Sequence, residues 1–595
     1  MPEAESEQNA TVNENGPEAV GDAAGSTENE PAPSSLDADR PRGPKIEGGR
    51  GAVVVGATVD GLAAAILLAK AGVDVVLVEN GLRLAPNEPC APAPGFAFDL
   101  ADAPLARLDP NLVKELGLTR RGFSFSDRRL QTVYVLGDGR TCRSDGDFIG
   151  IPDLDLRLAE PDPVVEGRHP GAAGDASARD GGTERDGDPA DPAPASSGPD
   201  GGAGRSPENQ DTDNQSMNAL LVEDRRTCAD FMERLVDAAM SAEELLSDSA
   251  RAKAKAAAAE DALRLLVAPL NDYLWSAGLH PVFRDILAAE AALETRARPD
   301  APMSAGALAL KLMGASLGRK GALGFPKDGV RGLSAAMRRA AQAAGVDIRP
   351  VGDVDALLIE RDRIEGVSFS DGGQIRAPIV VDASPAGDAF LEHVGRSALD
   401  IDVGFRWERR PPSYGVLRAC VALRAVDGDE VKVDQRPRYA IAPTATDLIA
   451  AYSQSPDDWG GEGGLAAEAI FVNRRIAAAA PPGAAAISLR CAPVPRPPAN
   501  DDATWRMCAE RAIRHTLLCI DPSLPERIVG MEFDWAPLAE PLAIEAANAR
   551  RASAGGGVIG HFFCGREAQM GVGINGRAGR RAAARAISFA KELRR

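Results

Sequence analysis

The chain has 595 residues and a formal net charge of −20, from 67 Lys and Arg against 87 Asp and Glu. That length exceeds what one core ordinarily absorbs, and the acidic balance argues against a nucleic-acid-binding surface. Eight cysteines without a Cys-x-x-Cys and five scattered histidines give no zinc centre and no dithiol redox pair, and they fit a reducing cytoplasm.

Residues 1–48 hold eleven acidic side chains against three basic ones, with hardly a large apolar residue. A second such stretch, 159–217, holds thirteen against four. Neither can bury enough surface to offset its ordering entropy, so both are expected to be disordered. Together they carry −17 of the −20, which leaves the rest of the chain near neutrality. No N-terminal apolar run and no stretch of 18 or so apolar residues occurs, so the protein is expected to be soluble and at most peripheral to a membrane.

Order is expected to begin at Gly51. Ala52–Val55 reads as a buried strand, Leu62–Ala71 as a helix ended by Gly72, and Val73–Glu79 as a second β-branched strand. Residues 51–79 therefore predict a βαβ unit with parallel strands. Val222 to about Leu293 predicts a helical layer, and Phe325 onward predicts mixed structure with an Asp371-Gly372 hairpin turn. A strand at Ile379–Asp382, a mixed region from Ser413 to Trp535, and a last strand, glycine-rich turn and helix complete the chain.

The turn Gly56-Ala57-Thr58-Val59-Asp60-Gly61 matches G-x-G-x-x-G at its first and third glycines, with Thr58 in the middle. The first glycine of such a turn permits its tightness, the middle one lets backbone approach a pyrophosphate, and the third lets helix and strand pack closely. Thr58 either crowds the phosphates or offers its hydroxyl beside the helix N-terminus. Glu79, eighteen residues after Gly61, is placed to accept hydrogen bonds from ribose hydroxyls. The alternative is an ordinary βα turn and an exposed strand-end carboxylate. His561 reads as a structural side chain and Cys564 as a buried, inert thiol; no nucleophile–base arrangement is visible.

Val53 to Glu79 resembles the opening of the phytoene dehydrogenase-like FAD oxidoreductases, the group of the carotenoid desaturases and their pyridine nucleotide-disulfide oxidoreductase domain relatives. Pro94–Leu100 resembles the segment after that family's flavin loop, and Gly324-Phe325-Pro326-Lys327-Asp328-Gly329-Val330-Arg331-Gly332-Leu333 its Gly-Tyr-Pro-x-Gly-Gly-Met-x-x-Leu run. Phe563-Cys564-Gly565 with Gly571, Gly573, Gly576 and Gly579 resembles its C-terminal motif. The pattern departs from the family at Thr58, in the absence of a Gly-Gly pair after Glu79, and at Arg566–Met570.

The resemblance implies an α/β fold class: a Rossmann-like FAD-binding domain with a glutathione-reductase-like βαβ unit, and a discontinuous α+β substrate domain. The FAD domain takes residues 51–158, 323–385 and 551–595; the substrate domain takes 218–322 and 386–550. The implied cofactor is FAD, held by Gly56, Ala57, Thr58, Gly61, Glu79, Gly565, Gly571, Gly573 and Gly576. The implied reaction is hydride transfer from a hydrophobic, isoprenoid-like small molecule to flavin N5, with no catalytic residue named and no metal. Two alternatives stand beside it: a relative that kept the fold and became a binding protein, and a flavin amine oxidase-like enzyme, which an aromatic content of 4% supports little.

Overall fold

The computed structural model describes residues 51–595 except 86–87, 101, 145–147, 158–206, 247–255, 314–315, 351, 400–412, 426–432, 457, 499–502, 554–556 and 569–572. The expected acidic tail and most of the expected insertion lie outside these residues. The insertion's expected end at 217 falls inside a helix, Pro207–Leu246, whose backbone begins ten residues earlier.

Strand β1 (Gly51–Ala57) is buried along its whole length, as its unbroken Gly-Ala-Val-Val-Val run requires of a central parallel strand. Helix α1 (Val59–Lys70) follows, with Val59 to Leu68 all buried, and β2 (Asp74–Arg83) returns parallel to β1. Ile379–Asp382 pairs on the other side of β1, His561–Phe563 beyond it, and Asp347–Arg349 beyond β2. The result is a five-stranded parallel sheet assembled from four distant parts of the sequence. Helices Gly329–Ala343 and Arg577–Glu592 pack on α1 and complete one core.

The second domain is built on an eight-stranded sheet whose spatial order begins with Ile528–Pro537, Tyr414–Leu423, Ala485–Pro495 and Ala466–Phe471. It continues through Arg438–Ala442, Thr132–Leu136, Thr141–Ser144 and Asp155–Arg157. Helices from Pro207 to Leu312 cover one face and Ala503–Ile520 the other, as the expected helical layer implies. The boundary expected at 158 is corrected here: Thr132–Arg157 pair edge to edge with the large sheet and not with the parallel one. Short alternating strands at the border of two domains carry no mark of which sheet they will join.

Among the described residues no helix is long and apolar enough to cross a membrane.

Candidate functional site

At the β1–α1 turn the backbone has the geometry that the glycine spacing implies. Gly56 has φ +92°, and a Cβ on Gly61 would lie 2.0 Å from the Gly56 carbonyl oxygen, so helix and strand meet with no room for a side chain. Thr58 is in ordinary extended backbone, φ −69°, ψ 174°, and needs no glycine there. Its hydroxyl oxygen accepts the Gly61 N–H at 3.2 Å, which makes it the N-cap of α1. The threonine side chain is thus folded back onto the helix it starts.

Glu79 is 3% exposed, and its carboxylate is already engaged. Oε2 accepts from Arg83 Nε at 3.0 Å and Nη2 at 2.7 Å, and Oε1 accepts from Arg338 on the Gly329–Ala343 helix. The alternative of an exposed strand-end carboxylate does not hold: Glu79 is buried and ion-paired with two partly exposed arginines. Asn80 and Gly81 follow with φ +46° and +64°, a pair of left-handed residues that turns the chain back across the end of β1. The Leu84 N–H donates to the Ala57 carbonyl at 3.0 Å, and Leu82 packs over Gly56.

The C-terminal glycines meet this turn from the other side. A Cβ on Gly576 would lie 2.3 Å from Leu112 Cδ2 and 3.3 Å from Val59 Cγ1, and one on Gly579 would lie 2.0 Å from the Asp60 carbonyl. Asp60 Oδ1 accepts the Gly579 N–H at 2.7 Å, tying the first turn of α1 to the first turn of Arg577–Glu592. Burial pushes the Asp60 carboxyl up to about 6, against the opposing pull of the Gly579 N–H. Gly565 is a packing glycine, with the Ser384 carbonyl 2.0 Å from where its Cβ would be. Gly573 differs: its φ is +108° and nothing lies within 4 Å of a Cβ there. Gly571 lies outside the described residues. His561 is buried with its ring edge-on to Phe390 at 5.7 Å, and burial raises the Cys564 thiol well above its usual range.

Gly573 and Ile574 open onto a cavity of about 340 Å³ bordered by the segment Leu100–Arg107 and by residues of the large sheet and its helices. Its apolar wall includes Leu100, Leu105, Leu293, Leu323, Val416, Leu538 and Ile574. Its polar wall belongs to a buried ion network. Glu290 accepts from Lys311 Nζ at 2.8 Å, from Arg438 Nη1 at 2.6 Å and Nη2 at 3.1 Å, and from Tyr134 at 3.0 Å. Glu294 accepts from Lys311 at 3.0 Å and from Arg107; Glu468 accepts from Arg438 and, at 2.7 Å, from Arg490. Burial by itself raises the Glu468 carboxyl, but Arg490 and Arg438 outweigh it and hold the group at about 2.

None of these network residues was among the sequence candidates. The signal was present, however: Glu290 interrupts the apolar run Ile286–Leu293, Glu294 ends it four residues on, and Lys311 interrupts Ala307–Met313. A charge at a core-facing helical position implies a buried partner.

No known family profile and no curated protein matches the sequence. Solved structures do match the fold. An oxidoreductase from Methanosarcina mazei aligns over 91% of this chain and 100% of its own, with a TM-score of 0.51 at 14% identity. Cyclohexylamine oxidase from Brevibacterium oxydans IH-35A aligns over 92% and 100%, with a TM-score of 0.50 at 16% identity. Putrescine oxidase bound to putrescine aligns over 93% and 100%, with a TM-score of 0.50 at 14% identity. At such identities the similarity is one of fold.

Proposed function

We propose that the chain is a FAD-dependent oxidoreductase of the phytoene dehydrogenase-like type, which removes hydride from a carbon of its substrate. The observation that carries the reading is the cavity of about 340 Å³ that opens at Gly573 and Ile574, where the C-terminal glycine motif meets the substrate domain. The fold shared with oxidases and an oxidoreductase over nine-tenths of the chain supports it.

The residues present fit the cofactor at the glycine positions. The tight turn at Gly56–Gly61 keeps the N–H groups at the start of α1 together, with Ala57 and Thr58 between, and these would hold a pyrophosphate. Glu79 would accept the ribose hydroxyls once Arg338 releases Oε1, while Arg83 stays on Oε2. Gly573, with no described residue where a side chain would be, would bring backbone to the flavin side.

A bound flavin supplies a two-electron acceptor at N5. The chain's own work is to position and to exclude water. Leu105, Leu293, Leu323 and Leu538 line the cavity with apolar surface against which a substrate carbon can be held. The carboxylates Glu290, Glu294 and Glu468 behind that wall are buried, and their ion pairs fix the orientation of Lys311 and the half-buried Arg490 at the cavity. No acid–base constellation is required for hydride removal by a flavin, in keeping with a cavity whose charged groups are mostly paired with one another.

The protein purified from riboflavin-rich cells is expected to show flavin absorption and to release FAD on denaturation. A folded, colourless protein that takes up no added FAD contradicts the reading.

A further inference from the structure

Arg107 is 6% exposed, lines the cavity and donates through Nη2 to Glu294, but its Nη1 is buried with no hydrogen-bond partner among the described residues. A buried guanidinium N–H left unmatched is costly and uncommon in a folded protein. It marks the position of an acceptor that the described residues do not supply. The charges of the wall point the same way. Arg107, Lys311, Arg418, Arg490 and Arg566 face the cavity against two carboxylates, Glu294 and Glu468. The ion pairs among the described residues add Glu290 and Asp534 on one side and Arg438 on the other, six cations against four carboxylates, while Glu545 and Glu567 near Arg566 are pushed up by burial. A second donor, Arg566, sits exposed at the rim with Nη2 on the Pro537 carbonyl at 2.7 Å.

We infer that this cavity binds a carboxylate-bearing molecule with an apolar body, its carboxylate on Arg107 and its hydrocarbon part on the leucines opposite. The unmatched Nη1 can donate a charge-assisted hydrogen bond to a carboxylate oxygen, stronger than one to a neutral amide oxygen, while an ammonium has no acceptor to offer it. The same excess of positive charge rejects cationic amines, whose ammonium group would meet Lys311 and Arg490 across a water-poor wall. The inference rests on the oxidoreductase reading only in calling the bound molecule a substrate; the binding itself needs no flavin.

The test is calorimetric titration of the full-length protein, at fixed salt, with octanoate, octanamide and octylamine, with the flavin content of the same sample measured by its visible spectrum. Octanoate is expected to bind at least about tenfold more tightly than octanamide, with octylamine the weakest. Arg107→Gln should erase the octanoate preference while its circular dichroism matches the parent. Arg566→Gln, at an exposed site that cannot disturb the core, should weaken octanoate about threefold and leave octanamide unchanged. The ranking of the three ligands and Arg566→Gln decide the matter even if Arg107→Gln does not fold. Equal binding of octanoate and octanamide, or tightest binding of octylamine, overturns the inference whatever the flavin content. An octanoate preference in a folded protein that takes up no added FAD upholds the anion site and removes the oxidoreductase reading; flavin binding without the preference does the reverse.

Discussion

Gly61→Val is expected to destabilise the protein by about 3 kcal/mol or more, enough to strip it of cooperative unfolding or of soluble expression. The cause is local and steric. A Cβ at residue 61 would lie 2.0 Å from the Gly56 carbonyl oxygen and 3.3 Å from the Ala383 Cβ, and the first of these is backbone that cannot swing aside. Relief requires α1 to move off β1, which opens the most buried packing of the parallel-sheet domain. Gly72→Ala is the matching control at the other end of α1. Gly72 has φ +77° but nothing within 4 Å of a Cβ, so the cost there is only backbone strain of about 1–2 kcal/mol. Denaturant unfolding of the two variants measures the difference; equal, modest losses would contradict the packing account.

Arg438→Met should cost about 3–5 kcal/mol in the same assay. Arg438 is among the largest fully buried side chains, and its guanidinium donates to Glu290 and Glu468. Methionine replaces the packing volume but none of the charge. Glu290 keeps Lys311 and Glu468 keeps Arg490, so each carboxylate loses part of its compensation while remaining desolvated. The surface pair Arg349–Asp347, with the aspartate side chain 52% exposed, provides the contrast: Arg349→Gln should change stability by less than about 0.5 kcal/mol. A loss below about 1 kcal/mol for Arg438→Met would show that water reaches the network.

The βαβ unit could be read from the sequence because every local signal agrees there: a β-branched run, a tight glycine turn, an apolar helix and a second β-branched run. Gly61 was legible for the same reason, since it answers to the Gly56 carbonyl five residues away, and Gly56 through its positive φ in the tight turn, although Leu82 and Ala383 pack around it. Thr58 was legible only in part. Its type suggested a clash with phosphate or a hydroxyl donor, whereas its oxygen accepts from Gly61 and caps α1. The fate of Glu79 could not be read at all, because Arg338 lies 259 residues away and comes alongside only when the Gly329–Ala343 helix packs on the sheet. Gly565, Gly576 and Gly579 show the converse: their spacing suggested ligand, and their contacts with Ser384, Leu112 and Asp60 are packing contacts of the chain itself. The ion network escaped notice because its members come from helices and strands spread between residues 107 and 490, although Glu290, Glu294 and Lys311 each broke an apolar run.

The substrate was expected to be hydrophobic on the strength of family resemblance. The inferred anion site adds a charged end to that expectation, and it rests on the unmatched Nη1 of Arg107 in an otherwise largely apolar wall. Only the fold brings that arginine, from the segment after the expected flavin loop, beside Glu294 and Lys311 of the helical layer.

The central claim is that the β1–α1 turn and Glu79 hold the adenosine diphosphate half of a dinucleotide and Gly573 its flavin half. Titration of flavin-stripped, full-length protein with FAD and, separately, with FMN tests it directly. The account predicts one FAD per chain and at least about tenfold weaker FMN, since FMN lacks the ribose that Glu79 accepts and half of the pyrophosphate. Equal affinity for the two, or uptake of neither by a folded protein, would contradict it.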